Sequence, residues 1–467
     1  MTWYKEAVFY YIYPLGLTDA PKQNSYNEPV HRLDMLFSWI SHIKEIGCNA
    51  IYIGPLFESV GHGYETTDYK KVDSRLGTND DLTRFVSECH KQGIRVILDG
   101  VFNHTGRDFF AFQDIKRNRE NSRYKNWYCD VIRFWVNAFD IDGIRLDAAD
   151  VLDFHYMKVL RKTANEIKSD FWLMGEVIHG NYSRWVNNET LHSVTNYVLH
   201  KALYSAYNDH NYFEIAHAIK YINDMVGNGS QLYTFVDNHD VERIYTKLKN
   251  KSHFVPVHVM LYTLPGIPSI YYGSEFGIQG RKEQYSDESL RPALNYKDYK
   301  DAIKTNACTK LIAALGRIRQ NIPALCHGEY KELELQTTYF VYERTFGGKS
   351  VIITVNNADN DVNIKFTCEN STEYVGALTG EQVSAKDGHI QVRVSANYGE
   401  IWIPAELYKK SLTPVKMVEI KKSSKSVKVV EKKLQAEKRQ EEKKAEKAVI
   451  DLKKPYEEMS SEFKEKL

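Results

Sequence analysis

Apolar positions along the first 320 residues occur in short runs that are separated by longer, periodic segments. In the longer segments, such as HRLDMLFSWISHIKEIG, apolar residues recur every three or four positions, which is typical of amphipathic helices. The short runs are typical of parallel strands that are buried on both faces. They lie at 8–16, 50–57, 95–103, 143–148, 171–178, 193–197, 231–237 and 269–274. Eight strands that alternate with helices predict an α/β fold, the (β/α)8 TIM barrel.

The pattern changes after the predicted barrel. Between about 325 and 405 the apolar runs become short and alternating, the turn pair Gly347-Gly348 occurs, and no long helical period is present. These features are typical of a small antiparallel β-sandwich. We therefore expect a barrel over 1–322 that is followed by a β-sandwich over 323–408.

The last 59 residues, 409–467, have a third composition. They hold 18 Lys and Arg against 11 Asp and Glu, and they are rich in helix-forming residues with a narrow apolar stripe. This pattern predicts a charged C-terminal tail that is a solvated helix or disordered, with a coiled coil or a docking arm as the alternative. The rest of the chain holds 44 basic and 50 acidic residues. The overall net charge of +1 is therefore the sum of a positive tail and a negative remainder.

Composition excludes several classes of protein. A net charge near zero argues against a chain-wide basic surface for nucleic acid. No stretch approaches the roughly 18 apolar residues of a membrane span, and the N-terminus lacks the features of a signal peptide. The six cysteines are scattered without a CxxC pair, which fits a reducing compartment. We expect a cytoplasmic protein with neither a nucleic-acid nor a membrane partner; the oligomeric state is not indicated.

Four predicted strands end in carboxylates. Asp99, Asp147, Glu176 and Asp240 each lie at or just after the end of a different apolar run. Active-site residues of barrels lie at the C-terminal ends of the strands, which meet on one rim. A buried ion pair or an ordinary loop residue accounts for any single carboxylate, but four on one rim predict a functional site.

The carboxylate cluster leaves two kinds of chemistry open, glycosyl transfer and binding of a hard metal ion. Arg145 lies two residues before Asp147, so the two side chains are on the same side of the strand. A guanidinium in that position keeps a carboxylate ionised and oriented, as a nucleophile requires, and therefore favours glycosyl transfer. The absence of a GxxxxGK[ST] loop argues against phosphoryl transfer.

The ordered segments LDGVFNH, DGIRLDAAD, MGEVI and FVDNHD resemble the four conserved regions of the alpha-amylase family of glycoside hydrolases. GHGYETTDYKKVDSRLGT is similar to that family's segment after strand 2, and GIPSIYYGSEFG to its strand 8. The DGVFNH form most resembles the neopullulanase, cyclomaltodextrinase and maltodextrin glucosidase branch. The resemblance spans about 8–320 and implies a barrel with a β-domain behind it and a retaining mechanism.

The resemblance also implies roles for individual residues. Asp147 corresponds to the nucleophile that forms the glycosyl-enzyme, Glu176 to the general acid and base, and Asp240 to the carboxylate that binds the distorted sugar. Further substrate-binding positions are implied for Tyr64, which stacks on the sugar, and for His104 and His239, which donate to its hydroxyls. Arg145 is implied to hold Asp147, and Asp99 and Asn103 to support the rim. His62, in the segment after strand 2, is a further candidate for substrate binding.

The chain departs from this family after the third strand, where members usually insert a small domain. Only the 24 residues 105–128 separate His104 from Cys129 here. The family's calcium site draws ligands from that insertion, so Asn103 is left as the candidate calcium ligand. We expect that no cofactor is required.

Three functions remain open at this level. The first is hydrolysis of α-1,4 bonds in maltooligosaccharides, cyclodextrins or related α-glucans. The second is a transglycosylase or isomerase on the same scaffold, because it uses the same covalent intermediate. The third is a non-catalytic protein that binds α-glucan, with the basic tail as a contact.

Overall fold

The computed structural model describes residues 2–118, 127–227, 232–368 and 371–412. The predicted tail therefore lies outside the described residues from 413 onward. No helix within the described ranges is long and apolar enough to cross a membrane. All six cysteines are buried and free.

The first part of the chain folds into a barrel. The barrel strands are β1 (Phe9–Ile12), β2 (Ala50–Ile53), β5 (Arg95–Gly100), β6 (Gly143–Leu146), β7 (Trp172–Gly175), β8 (Ser193–Val194), β9 (Tyr233–Phe235) and β10 (Ile267–Tyr271). Between β2 and β5, the strands β3 (Phe57–Ser59) and β4 (Thr66–Val72) form a hairpin. Within the described ranges, eight of these strands form one parallel sheet in the order β8-β7-β6-β5-β2-β1-β10-β9. A parallel bridge from Thr195 to Tyr233 joins its two edges. The predicted (β/α)8 barrel is confirmed.

Helices cover the outside of the barrel and join it to the second region. They are α1 (Pro14–Leu17), α2 (Phe37–Glu45), α3 (Asn79–Lys91), α4 (Phe110–Asn118), α5 (Trp127–Phe139), α6 (Phe154–Ile167), α7 (Tyr197–Asn208), α8 (Phe213–Val226), α9 (Ile244–Lys247), α10 (Phe254–Thr263), α11 (Ala302–Thr305), α12 (Ala307–Asn321) and α13 (Pro323–His327). The fully described connection from β7 to β8 has a 3-10 helix, Tyr182–Arg184, in place of an α-helix.

Local sequence explains where these elements form. Every residue of β1, β2, β6 and β7 is buried, because one face of each strand meets the barrel interior and the other meets the helices. In α3, a capping box between Thr78 and Asp81 fixes the first turn. Leu82, Phe85 and Cys89 recur on its buried face, at the spacing that the sequence pattern predicts.

The second region is an antiparallel β-domain, as predicted. Its strands are β11 (Glu329–Leu335), β12 (Tyr339–Phe346), β13 (Lys349–Asn356), β14 (Val362–Thr367), β15 (Glu373–Gly376), β16 (Gln382–Ser384), β17 (His389–Val394) and β18 (Tyr398–Pro404). They form a sheet in the order β11-β12-β13-β18-β15-β16 and a pair of β14 with β17. Ile352, Phe366 and Trp402 belong to the core between them. On the barrel side, Arg344 donates to the carbonyl of Thr263 at the end of α10.

The short connection after β5, residues 105–128, begins beside one part of the rim. It contains α4, and α5 then takes the place of the third barrel helix. Residues 119–126 lie outside the described residues. Gly106 donates its backbone N–H to the carbonyl of Thr66, so the start of the connection lies against the β3–β4 hairpin.

Candidate active site

One arginine contacts three carboxylates at the C-terminal ends of neighbouring strands. Arg145 is buried on β6, and its Nη1 lies 2.7 Å from Oδ1 of Asp147. Its Nη2 lies 2.7 Å from Oε2 of Glu176, which follows β7. Nη1 also donates to Oδ1 of Asp99 on β5, at 2.9 Å. A planar guanidinium with five N–H donors suits such a cluster, because it can bond several acceptors at fixed angles.

Asp147 and Glu176 are buried but not sealed off, each with 8% of its surface exposed. Burial raises the pKa of Asp147, and the positive charge of Arg145 opposes that rise. Glu176 accepts hydrogen bonds from the backbone N–H of Ala148 at 3.1 Å and from the hydroxyl of Tyr197 at 3.3 Å. Both carboxyls are thus oriented from several sides while they remain accessible to a substrate.

The backbone between these carboxyls is strained. Ala148, directly after Asp147, adopts a left-handed conformation with φ 43° and ψ 47°. Residues other than glycine rarely adopt this conformation, which costs about 1–3 kcal/mol. In this conformation the N–H of Ala148 points towards Glu176 and donates to its carboxylate, so the strained residue helps to position that carboxyl.

Asp99 lies beneath the site rather than on its open surface. Besides Arg145, its carboxylate accepts from the hydroxyl of Tyr52 at 2.7 Å and from that of Tyr64 at 3.4 Å. Burial raises the pKa of Asp99 to about 7, against the lowering effect of Arg145 and of the Tyr52 hydrogen bond. Asp99 thus supports Arg145 from below, as expected for a residue that supports the rim.

Asp240 forms the opposite side of the site, after β9. Its Oδ1 lies 3.1 Å from Nη2 of Arg291, and its Oδ2 lies 3.0 Å from Nε2 of His239. Arg291 also donates from Nε to the carbonyl of His239, and its guanidinium lies over the ring of Tyr13, 4.8 Å from the centroid. Burial lowers the pKa of His239, and the charges of Arg291 and Arg145 lower it further, so the imidazole is neutral near pH 7.

The predicted sugar-stacking residue Tyr64 is buried between these groups. Its ring stacks on that of His239, with centroids 5.4 Å apart, and its hydroxyl contacts Nε2 of His239. His62, two residues earlier, is exposed, and its Nε2 lies 2.8 Å from Oε1 of Glu65. Tyr64 therefore belongs to the inner site, whereas His62 lies on the outer edge of the cleft.

Asn103 and His104 lie on the exposed rim after β5, with Nδ2 of Asn103 3.4 Å from Nδ1 of His104. Calcium takes roughly six to eight oxygen ligands. No group of three or more His, Cys, Asp or Glu side chains in the described ranges is arranged to hold a metal ion. Within these ranges Asn103 thus has no such group beside it, and no step proposed below uses a metal.

Sequence reasoning missed several residues of this site, which are Tyr52, Tyr197, Asn238 and Arg291. Tyr197 is the last residue of the apolar run of the sixth strand, and Asn238 donates to its hydroxyl at 3.2 Å. Proximity to a strand end therefore signalled Tyr197. Arg291 lies in a loop 51 residues after Asp240, where no motif marks it.

Comparisons with known proteins agree with this geometry. A family model described as the alpha amylase catalytic domain matches residues 12–131 and 128–320, and an alpha-amylase C-terminal domain model matches 328–402. The catalytic-domain match is split, and its two parts meet at 128–131, at the end of the short connection. The break thus coincides with the place where the sequence predicts a reduced insertion.

The chain is 29% identical over 364 residues to the cyclomaltodextrinase of Thermoanaerobacter pseudethanolicus, covering 68% of this chain and 62% of that protein. It is 26% identical over 465 residues to neopullulanase 2 of Thermoactinomyces vulgaris, covering 85% of this chain and 78% of that protein. The chain thus spans less than two thirds of the length of the first relative. The crystal structure of an Anoxybacillus alpha-amylase has the same fold, with a TM-score of 0.76 at 24% identity, over 86% of this chain and 98% of that one.

Proposed function

This chain belongs to the alpha-amylase family, and we propose that it is a retaining glycoside hydrolase that cleaves α-1,4-glucosidic bonds. Its proposed substrates are maltooligosaccharides, cyclodextrins or related α-glucans. The names of the relatives, cyclomaltodextrinase and neopullulanase, support this class of substrate. The buried, free state of all six cysteines supports a reducing, cytoplasmic location.

The observation that carries the proposal is the contact of one guanidinium with two carboxyls. Arg145 lies 2.7 Å from Asp147 and 2.7 Å from Glu176, through two nitrogens of the same planar group. The two carboxyls are therefore close neighbours on adjacent strand ends. Retaining glycosidases need such closeness, since their two carboxyls are about 5–5.5 Å apart and the nucleophile reaches the anomeric carbon directly, without an intervening water.

In the first proposed step, a carboxylate oxygen of Asp147 attacks the anomeric carbon while Glu176 gives its proton to the leaving glycosidic oxygen. A C–O bond to Asp147 forms as the glycosidic C–O bond breaks. Arg145 keeps Asp147 ionised against the effect of burial and fixes the direction of attack. The products are a covalent glycosyl-enzyme and the released sugar.

In the second step, Glu176 takes a proton from a water molecule that attacks the same carbon. The bond to Asp147 breaks, and both carboxyls return to their starting protonation states. The hydroxyl of Tyr197 and the N–H of Ala148 hold Glu176 in place through both steps. A sugar hydroxyl in place of water gives transglycosylation.

Asp240 is proposed to bond to hydroxyls of the distorted sugar. Its side chain is 36% exposed, so it reaches substrate more readily than the other two carboxyls. Neutral His239 and the ring of Tyr64 form the adjacent wall. No cofactor is required in this proposal, because every proton and bond is assigned to a carboxyl of this chain.

The experiment is release of reducing sugar from maltotriose and maltohexaose by the parent protein, by Asp147→Asn and by Glu176→Gln. We expect the variants to lose about a thousandfold or more in kcat, because the carboxyls act as a unit. NMR of the first product should show the α-anomer. A parent protein that is no faster than either variant contradicts the proposal, and products longer than the substrate indicate transfer.

A further inference from the structure

Two tyrosines lie side by side inside the barrel, beneath the carboxylates. Tyr11 on β1 and Tyr52 on β2 are direct partners in the parallel pairing. Their rings stack with centroids 4.2 Å apart and an interplanar angle of 10°, and both are buried. Among the described residues the hydroxyl of Tyr11 has no hydrogen-bond partner, whereas that of Tyr52 donates to Asp99 at 2.7 Å. Two nearly identical rings thus differ in one hydrogen bond.

That hydrogen bond ends on the carboxylate that supports Arg145. Asp99 and Arg145 are direct partners in the pairing of β5 with β6. Nη1 of Arg145 lies 2.9 Å from Oδ1 and 3.2 Å from Oδ2 of Asp99, so this contact involves both carboxylate oxygens. The same nitrogen also donates to Oδ1 of Asp147. Rotation of the Asp99 carboxylate therefore changes where Arg145 can point.

We propose that Tyr52 is a positioning residue for the reaction: its hydroxyl fixes the carboxylate of Asp99, which in turn fixes Arg145 at both reacting carboxyls. Tyr52 touches neither reacting carboxyl itself. Without its donor, Oδ2 of Asp99 keeps only Arg145 at 3.2 Å and the Tyr64 hydroxyl at 3.4 Å. The inference rests on the proposed function, since it concerns the same carboxyls.

Ring packing alone does not explain Tyr52. A phenylalanine fills nearly the same volume, and burying a hydroxyl costs free energy unless it is hydrogen-bonded. Tyr11 occupies the same layer of the barrel without a partner for its hydroxyl, so this layer does not itself require the bond. The role of Tyr52 is therefore to hold the carboxylate of Asp99 through its hydroxyl.

The arrangement has a consequence for pH dependence. The groups that act on Asp99 are Arg145 on β6, Asp147 just after it, Tyr52 on β2 and Tyr64 in the β3–β4 hairpin. Tyr11 on β1 and Tyr233 on β9 also face it, as phenols whose own pKa its charge raises. A hydrogen bond donated to a carboxylate favours its charged form. Removal of the Tyr52 hydroxyl thus raises the pKa of Asp99 above about 7. Near neutral pH, a larger fraction of Asp99 is then neutral than in the parent, so Arg145 loses more of its counter-charge.

The test compares Tyr52→Phe with the matched control Tyr11→Phe on 4-nitrophenyl α-maltoside across the pH range. We expect Tyr52→Phe to lower kcat about tenfold with KM within about twofold, because the carboxyls are disordered and the outer substrate contacts are not. Its acidic limb of kcat/KM should move to higher pH, while Tyr11→Phe matches the parent. An equal effect of both variants, or a change in KM alone, overturns the proposal.

A second measurement separates this proposal from the proposed function. The folded pKa of Asp99 lies above that of an unfolded aspartate, about 3.9, so stability falls as pH rises between the two values. In Tyr52→Phe the fall continues to higher pH. The stability deficit of Tyr52→Phe in urea should therefore be larger at about pH 8.5 than at about pH 5. If the parent has no glycosidase activity, the proposed function fails; a pH-independent deficit overturns the role of Tyr52.

Discussion

Arg145 and Glu176 form an ion pair across adjacent strands, with Nη2 2.7 Å from Oε2. Arg145 precedes the end of β6, and Glu176 follows β7. The pair therefore fixes one strand end relative to the next at the point where the proposed chemistry occurs. The other terminal nitrogen of the same guanidinium contacts Asp147, so one planar group sets the separation of the two carboxyls.

Replacement of Arg145 by lysine tests this relationship. Arg145→Lys keeps the charge but has one nitrogen in place of a planar pair, so it cannot reach both carboxyls in the same geometry. We expect kcat/KM to fall by about a hundredfold or more, mainly through kcat. Steady-state kinetics on 4-nitrophenyl α-maltoside, with urea unfolding to confirm folding, measures this. A loss under about threefold contradicts the assigned role.

Asp142 is expected to stabilise the start of β6, the strand that carries Arg145 near its other end. It is buried just before β6, and its carboxylate bonds to His90, Arg95 and Lys168. Although burial opposes it, these contacts and the N–H of Val96 hold the pKa of Asp142 well below its usual value. We expect Asp142→Asn to lower the unfolding free energy at pH 7 by about 3 kcal/mol, because Arg95 and Lys168 lose their counter-charge.

The pH dependence of that loss follows from the direction of the shift. The stabilisation by Asp142 is present above the pKa of an unfolded aspartate, about 4, and is lost as pH falls below it. The difference between parent and Asp142→Asn should therefore shrink from pH 7 to about pH 3, as measured by urea unfolding. A constant difference across this range contradicts the assignment.

The strained backbone at Ala148 gives a prediction with two opposite substitutions. Ala148→Gly suits the left-handed conformation but adds freedom to the unfolded chain, so we expect stability within about 1 kcal/mol of the parent. A β-branched side chain is disfavoured there, so Ala148→Val should lose about 2 kcal/mol or more. Thermal and urea unfolding measure both. If valine is tolerated as well as glycine, the strain is not present in solution.

Truncation after Leu412 should leave activity on a small substrate unchanged. Every residue placed in the site lies before residue 292, and the β-domain ends at Pro404. We expect kcat/KM on 4-nitrophenyl α-maltoside within about twofold of the full chain. A larger loss, with unfolding unchanged, assigns the tail a part in catalysis.

The strand pattern predicted the barrel but not the ends of its strands. The run at 193–197 gives a strand of two residues, because the side chain of Asn196 caps α7, which begins at Tyr197. The run at 8–16 ends early as a strand because Pro14 begins α1. A proline suits the first position of a helix, and an apolar run alone does not show where one element ends.

The motifs pointed to Asp99, Asp147, Glu176, Asp240 and Arg145, but not to Tyr52 or Arg291, which contact them. Nothing in the sequence distinguishes Tyr52, whose hydroxyl bonds to Asp99, from Tyr11, whose hydroxyl has no partner. Both are tyrosines in apolar runs, and only the register of β2 against β5 brings Tyr52 to Asp99. Likewise, Arg291 reaches Asp240 because a distant loop folds back over the rim.

The short connection after β5 has a consequence for how such a protein can change. Arg145 is held from the strands by Asp99 and Tyr52, and none of these contacts comes from the connection. The residues that hold Arg145 and the connection that borders the site are thus structurally independent in these contacts. If the proposed function holds, new sequence grafted between Gly106 and Trp127 would alter which substrates enter while Arg145 keeps its contacts, so this connection is a natural point of entry for diversification.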